Sequence, residues 1–237
     1  MVSIILAAGV GRRLAMGTPK CLIDVGGTTI IRRQIAAFRA AGVRRFVVVV
    51  GHQQDLVRAQ LADDPGPFTF ISNDRYAETN TIHSLYLARD HFDGGFFFAN
   101  GDVVFDGRLT RALLPADAST RLAVKPGRCG QEEVKVIVEG GRITRIGKQL
   151  DVDRSLGEFV GVARFGSDLA APFARMLTQC VEHEGIVAEL FEHALDRLCE
   201  QGSVIVPADV GDLPCGEIDF PEDLEFARNV LATQLQS

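Results

Sequence analysis

The chain has no tryptophan, two tyrosines and three methionines among its 237 residues, and only four of its 25 basic residues are lysines. Without an indole, and with only Tyr76 and Tyr86, it holds little from which to build the aromatic cage that best recognises a quaternary ammonium group. Five cysteines, at positions 21, 129, 180, 199 and 215, are odd in number, widely spaced and free of any C-x-x-C pair. That pattern speaks against a disulfide framework and a zinc site, and it suits the reduced cytoplasm, where the chain is expected to reside. No apolar run approaches the ~18 residues that a membrane span requires. Met1 leads straight into a strand without a basic n-region or cleavage site, so the expectation is a protein neither secreted nor integral to a membrane. A basic surface is missing too: the net charge is −6, which argues against sequence-independent nucleic-acid binding. Any anionic ligand must then be met by local cations.

What is present is an ordinary globular composition, 46% hydrophobic and 24% charged, in a length that suits one large domain. Hydrophobic patterning alternates strands and helices. Residues 2–6 read as a buried strand, 22–25 as a short strand, and Gly26-Gly27 as a tight turn. Thr28 or Thr29 is expected to cap a helix running to Ala41, followed by a strand over 43–50, a helix over 53–61 and a strand over 68–71. A helix over 80–89 and an aromatic strand over 95–99 complete a first half, about residues 1–115, that implies parallel strands with crossover helices. In the second half, about 116–237, the alternation over 133–148 around Gly140-Gly141 predicts a β-hairpin. A strand over 157–165 and helices over 167–181, 186–199 and 221–233 follow. The fold expected is α/β, a mixed and mostly parallel sheet flanked by helices, with the hairpin as a lobe over the substrate.

The first strand runs into Leu6-Ala7-Ala8-Gly9-Val10-Gly11-Arg12-Arg13-Leu14 and then Thr18-Pro19-Lys20. Small residues let backbone approach a ligand at the strand's carboxyl end, and Gly11 lets successive N–H groups converge on phosphate oxygens. Arg12 and Lys20 add the charge that backbone lacks. A dinucleotide loop would need a third glycine where Leu14 stands, and a P-loop would need Gly-Lys-Ser/Thr, so neither motif is present.

Acidic residues collect at two later points. Asp102, after the aromatic strand, is either a turn residue of Asn100-Gly101-Asp102 or a metal ligand at the ligand-gathering edge of an α/β sheet. Glu217 and Asp219 share one face in extended backbone, although Asp219 also suits the cap of the helix beginning at Pro221. Two acidic positions far apart in sequence are what a Mg²⁺ site for triphosphate chemistry needs. Asn80 is placed to cap the third helix, with Ser84 one turn along on the same face.

The glycine string with Pro19-Lys20 resembles the nucleotidyltransferases of GT-A-like, Rossmann-like fold, which join a nucleoside triphosphate to a phosphorylated sugar or alcohol. The stretches Glu132-Glu133-Val134-Lys135-Val136, Gly157-Glu158-Phe159 and Glu217-Ile218-Asp219-Phe220-Pro221-Glu222-Asp223 are similar to the phosphocholine and aminoethylphosphonate cytidylyltransferases over nearly the full length. The resemblance implies transfer of CMP from CTP to a small phosphate or phosphonate acceptor, with pyrophosphate released. In it, Lys20 and Arg12 act in catalysis, and Leu6, Ala7, Ala8, Gly9, Gly11, Asn80 and Ser84 hold the nucleotide. Asp102, Glu217 and Asp219 hold Mg²⁺, while Lys135, Lys148 and Glu158 meet the acceptor, unless the two lysines are solvated hairpin charges. Relatives often carry a tryptophan near the position of Cys215; its absence favours a smaller amine or a polyol phosphate over choline. A homodimer is left open. The alternatives are a sugar-1-phosphate nucleotidyltransferase using UTP or dTTP and a non-catalytic nucleotide-binding module.

Overall fold

The computed structural model describes residues 1–11, 13–14, 16–92, 94–114 and 119–235. Among these, nine strands form one sheet whose main path runs β10-β6-β9-β4-β1-β2-β3, with a hairpin of β7 and β8 attached at β9. The strands are β1 Val2–Ala7, β2 Arg45–Val50, β3 Phe68–Ser72, β4 Phe96–Asn100, β5 Val103–Phe105, β6 Thr120–Pro126, β7 Lys135–Glu139, β8 Arg142–Gly147, β9 Gly157–Phe165, β10 Ile205–Asp209 and β11 Cys215–Glu217. β3, β2, β1 and β4 are parallel. β9 runs antiparallel between β4 and β6, and the small pair β5 and β11 stands apart from the main sheet.

The helices are α1 Ile30–Ala40, α2 Gln54–Gln60, α3 Thr81–Leu87, α4 Arg108–Ala112, α5 Ser167–Thr178, α6 Glu192–Glu200 and α7 Pro221–Phe226, the last carried on by wider helical turns to Gln234. Period-two alternation in fully buried strands divides their side chains between two cores. Ile4 and Leu6 of β1 join Phe96 and Phe98 of β4 under α3, α5 and α6. Ile5 and Ala7 join Val48, Phe97 and Ala99 on the opposite face, under α1 and α2. A third cluster packs Leu14 and Ile23 against Ile218, Leu224 and Leu231, so the C-terminal helix supports the loop after β1. Leu14, standing where a dinucleotide motif would have glycine, is a core residue.

The hairpin, the parallel strands and most helices match the pattern read from the sequence. Three differences stand out. Residues 22–25 do not form a strand: Lys20–Leu22 is a single 3₁₀ turn, and only Asp24 and Thr29 make a bridge across the Gly26-Gly27 turn. β5, α4 and β6 are additional elements between Asp102 and the hairpin. The expected helix over 186–199 begins only at Glu192, because residues 187–191 form bends tied to the start of α3, where the Asn80 N–H donates to the Val187 carbonyl at 2.8 Å.

Candidate active site

The glycine loop leaves the carboxyl end of β1 and forms one wall of a cleft of about 420 Å³. Leu6, Ala7, Ala8, Gly9 and Gly11 line it, as do Asn80, Ser84, Asp102, Glu217, Asp219, Lys20 and Lys148. Gly11 has φ +64°, and a Cβ there would lie 3.0 Å from Lys20 Cγ, so this glycine both permits the loop conformation and makes room for the lysine. Arg12 lies outside the described residues.

The Asn100-Gly101-Asp102 turn is held from two sides. The buried Gln34 of α1 donates its amide to the carbonyls of Asn100 at 2.7 Å and Val103 at 2.8 Å. The Gly101 N–H donates to the Leu6 carbonyl at 2.9 Å, and a Cβ on Gly101 would come within 2.5 Å of that oxygen. The turn therefore sits against the end of β1, and its geometry serves the carboxylate rather than competing with it. Across the cleft, the Asp219 and Phe220 N–H groups both donate to Asp223 at 2.9 and 2.8 Å. Asp223 thus caps α7, and the Asp219 carboxylate faces Lys20 and Arg13 instead of serving as the cap.

Lys20 is the meeting point. Its ammonium donates to Asp102 Oδ2 at 3.1 Å and to the Asp219 carboxylate. Burial works against its charge, but Asp102 and Asp219 together outweigh that and hold its pKa above the ordinary lysine value. Arg13 adds a second cation, 3.3 Å from Asp219 and 5.1 Å over the Phe220 ring. Glu217 opens into the cleft on the same side. The protein mass around the cleft, then the charges of Asp102 and Asp219, raise its carboxyl well above the usual range. Under Glu217 lies Gly161, φ +72°, where a Cβ would meet Asn100 Nδ2 at 2.9 Å and Glu217 Oε1 at 3.2 Å.

The donor set is oxygen-only, three carboxyl groups gathered beside Lys20 and Arg13. Among the described residues no three side chains are grouped so as to hold a metal ion by themselves. Mg²⁺ characteristically takes one or two carboxylates and completes its shell with water and substrate phosphates, so Asp102 and Asp219, which meet at Lys20, fit it as a pair, with Glu217 beside them.

At the other wall, Asn80 caps α3, its Oδ1 accepting from the Thr81 N–H at 2.8 Å. Ser84 Oγ accepts from Asn73 Nδ2 at 3.0 Å, which leaves its own proton to donate into the cleft. Asn73, Tyr76, Thr79 and Glu192 are cleft residues that sequence reasoning missed. Asn73 carried one usable signal: a polar residue ending an apolar strand just before the Asn80 helix.

Two of the residues expected at the acceptor are not in the cleft lining. Lys135 is 1% exposed, and its ammonium donates to the carbonyls of Gln131 at 3.4 Å, Glu133 at 3.1 Å and Lys148 at 2.7 Å. All three of its protons are engaged inside the hairpin, so it braces the loop and does not meet a ligand. Glu158, half-buried in β9, pairs in register with Lys125 and Lys135, and burial followed by the Glu133 charge raises its carboxyl. Lys148 does line the cleft, held loosely by Glu132 at 3.6 Å.

Residues 3–160 match the model of the MobA-like NTP transferase domain. The chain is 31% identical to a 2-aminoethylphosphonate cytidylyltransferase of Lancefieldella rimae, over 77% of this chain and 74% of that one. It is 34% identical to a bifunctional IPC transferase and DIPP synthase of Archaeoglobus fulgidus over 63% of its length, but spans only 30% of that longer protein. The inositol-1-phosphate CTP transferase of T. maritima superposes with a TM-score of 0.80 at 22% identity, covering 100% of this chain and 98% of that one, a likeness of fold. Among the described residues no helix is long and apolar enough to cross a membrane.

Proposed function

The chain belongs to the MobA-like NTP transferase family and is a nucleotidyltransferase, and from that premise we propose that it transfers CMP from CTP to a small phosphate or phosphonate acceptor, releasing pyrophosphate. The observation that carries the reading is the convergence of Lys20, from the glycine loop, on Asp102 and Asp219 from two other parts of the chain.

Each residue has a task that its chemistry supports. The backbone of Ala8, Gly9 and Gly11 faces the triphosphate, with Arg12 and Arg13 following in the same loop. Lys20 stabilises charge at the α-phosphate, where the acceptor oxygen attacks in line; that oxygen is already ionised, so positioning and electrostatics do most of the work. Asp102 and Asp219, with Glu217 beside them, would hold Mg²⁺, which when bound neutralises phosphate charge. Asn80 and Ser84 supply donors at the base. Cytosine presents acceptors at O2 and N3, whereas uracil presents a donor at N3, so a wall of donors selects cytosine by leaving uracil mispaired. Lys148 faces the acceptor's anionic group. A cytoplasmic location accords with this chemistry.

Pyrophosphate release should be measured with Mg²⁺ across CTP, UTP, dTTP, ATP and GTP, each against 2-aminoethylphosphonate, phosphocholine, inositol phosphate and sugar 1-phosphates. Acceptor-dependent release with CTP supports the proposal. Preference for UTP or dTTP with a sugar phosphate replaces it with the sugar-nucleotide reaction, and nucleotide binding without turnover replaces it with a silent module.

A further inference from the structure

Glu192 occupies the first turn of α6, is 4% exposed, and lines the cleft. Its Oε2 has no hydrogen-bond partner among the described residues. A carboxylate taken out of water with nothing on one oxygen is costly unless something else supplies the partner. Local packing does not leave it there by accident: the preceding segment is fixed to the start of α3, the Phe191 N–H donating to Thr81 Oγ1 at 3.0 Å. The neighbouring charges are Lys148, from the hairpin, which attracts it, and Glu217, from β11, which feels its charge. Among the ion pairs of the described residues, the Lys148 ammonium is held by Glu132 at 3.6 Å rather than by Glu192.

The cleft therefore presents the Lys148 cation and, within its field, a buried carboxyl with one unpartnered oxygen. We propose that Glu192 binds the cationic end of the acceptor, so that the cleft selects a short zwitterion carrying a protonated primary amine as well as a phosphonate or phosphate. This rests on the cytidylyltransferase reading. A hydroxyl would give Oε2 a hydrogen bond but leave the charge uncompensated, whereas an ammonium supplies both. A quaternary ammonium has no N–H to donate, and among the described residues Tyr76 is the one aromatic of the cleft lining, with its ring paired to His52 at 5.8 Å. Burial pushes the Glu192 carboxyl up to about 7, and an ammonium placed beside it would favour the charged form.

The test compares 2-aminoethylphosphonate with 2-hydroxyethylphosphonate as acceptors at saturating CTP, in the wild type and in Glu192→Gln. The wild type is expected to prefer the amine in kcat/KM on the order of 10- to 100-fold, the worth of a charge-assisted bond. Glu192→Gln should collapse that ratio toward unity through KM, with Glu192→Asp intermediate. An unchanged ratio in the variant, or a wild type indifferent to the amine, overturns the inference while leaving the cytidylyltransferase reading intact. If no acceptor releases pyrophosphate from CTP, that reading fails instead. Calorimetric titration of 2-aminoethylphosphonate into wild type and variant then decides the inference alone, equal affinities overturning it. Should Glu192→Gln fail to fold, the acceptor ratio in the wild type and Glu192→Asp still decides.

Discussion

The ammonium of Lys20 lies 3.1 Å from Asp102 Oδ2, a contact between residues 82 positions apart that ties the glycine loop to the turn after β4. With Asp219 it forms a three-way junction at the point where the triphosphate and the acceptor are proposed to meet. Its members are partly exposed, so they contribute little to stability and are free to trade partners when phosphates arrive.

Lys20→Met and Asp102→Asn should each lower kcat by roughly 10²- to 10³-fold, the scale of losing one transition-state contact. The melting temperature should move by no more than a few degrees, since Lys20, Asp102 and Asp219 all keep part of their surface in water. Chelation with EDTA should abolish turnover in the wild type and leave the melting curve close to unchanged. Steady-state kinetics beside differential scanning fluorimetry check all three.

Ser84→Ala should narrow the discrimination between CTP and UTP by about tenfold, because the lost hydroxyl removes one donor facing the base. Asn73→Ala should have the same effect and a stability cost besides. Asn73 is buried, and its amide holds both Ser84 and Thr79, at 3.0 and 3.1 Å. Competitive assays with both nucleotides, together with urea unfolding, separate the two effects.

Lys135 and Lys148 should fail in opposite ways. Lys135→Met leaves three carbonyls without their donor and should destabilise the protein by about 3 kcal/mol, near one per bond. Lys148→Met should leave stability nearly unchanged and raise the acceptor KM about tenfold, with the CTP KM unaffected. Denaturant melts and acceptor titrations on the two variants distinguish a brace from a ligand contact.

Glu192 should make the folded chain less stable as pH rises. Its carboxyl is pushed up to about 7 in the fold from 4.5, so between those values the native state holds the proton more firmly than the unfolded state does. Stability is then lost from pH 4.5 up to about 7 and levels off above, by on the order of 3 kcal/mol. Relative to wild type, Glu192→Gln should gain several degrees in melting temperature at pH 8 and little at pH 5. Thermal melts at the two pH values read this directly.

The glycine loop, the Asn80 helix and the late Glu217 and Asp219 pair were legible because each couples a local backbone signal to a charge. The hairpin was legible from its alternation and its Gly140-Gly141 turn. Alternation does not tell which face meets ligand, and this is where the Lys135 expectation failed: the side chain points into a loop whose carbonyls needed a donor. Glu192 was hidden for a related reason. An acid in the first turn of a helix fits the helix dipole anywhere, and only the docking of residues 187–191 on α3 turns this one into the cleft. The segment 22–25 misled because Leu22, Ile23 and Val25 suit a strand, whereas Ile23 and Val25 are apolar in order to pack against Ile30, Leu224 and Leu231.

The first turn of α3 touches both ends of the reaction. It carries Asn80 and Ser84 on the nucleotide side, and through Thr81 it grips the segment that sets Glu192. The two specificities therefore share a hinge of inheritance. A lineage that drifts at Thr81 or Val187 to admit a different acceptor disturbs the wall that reads the base, so changes in acceptor should arise first at the hairpin around Lys148, where that wall is out of reach.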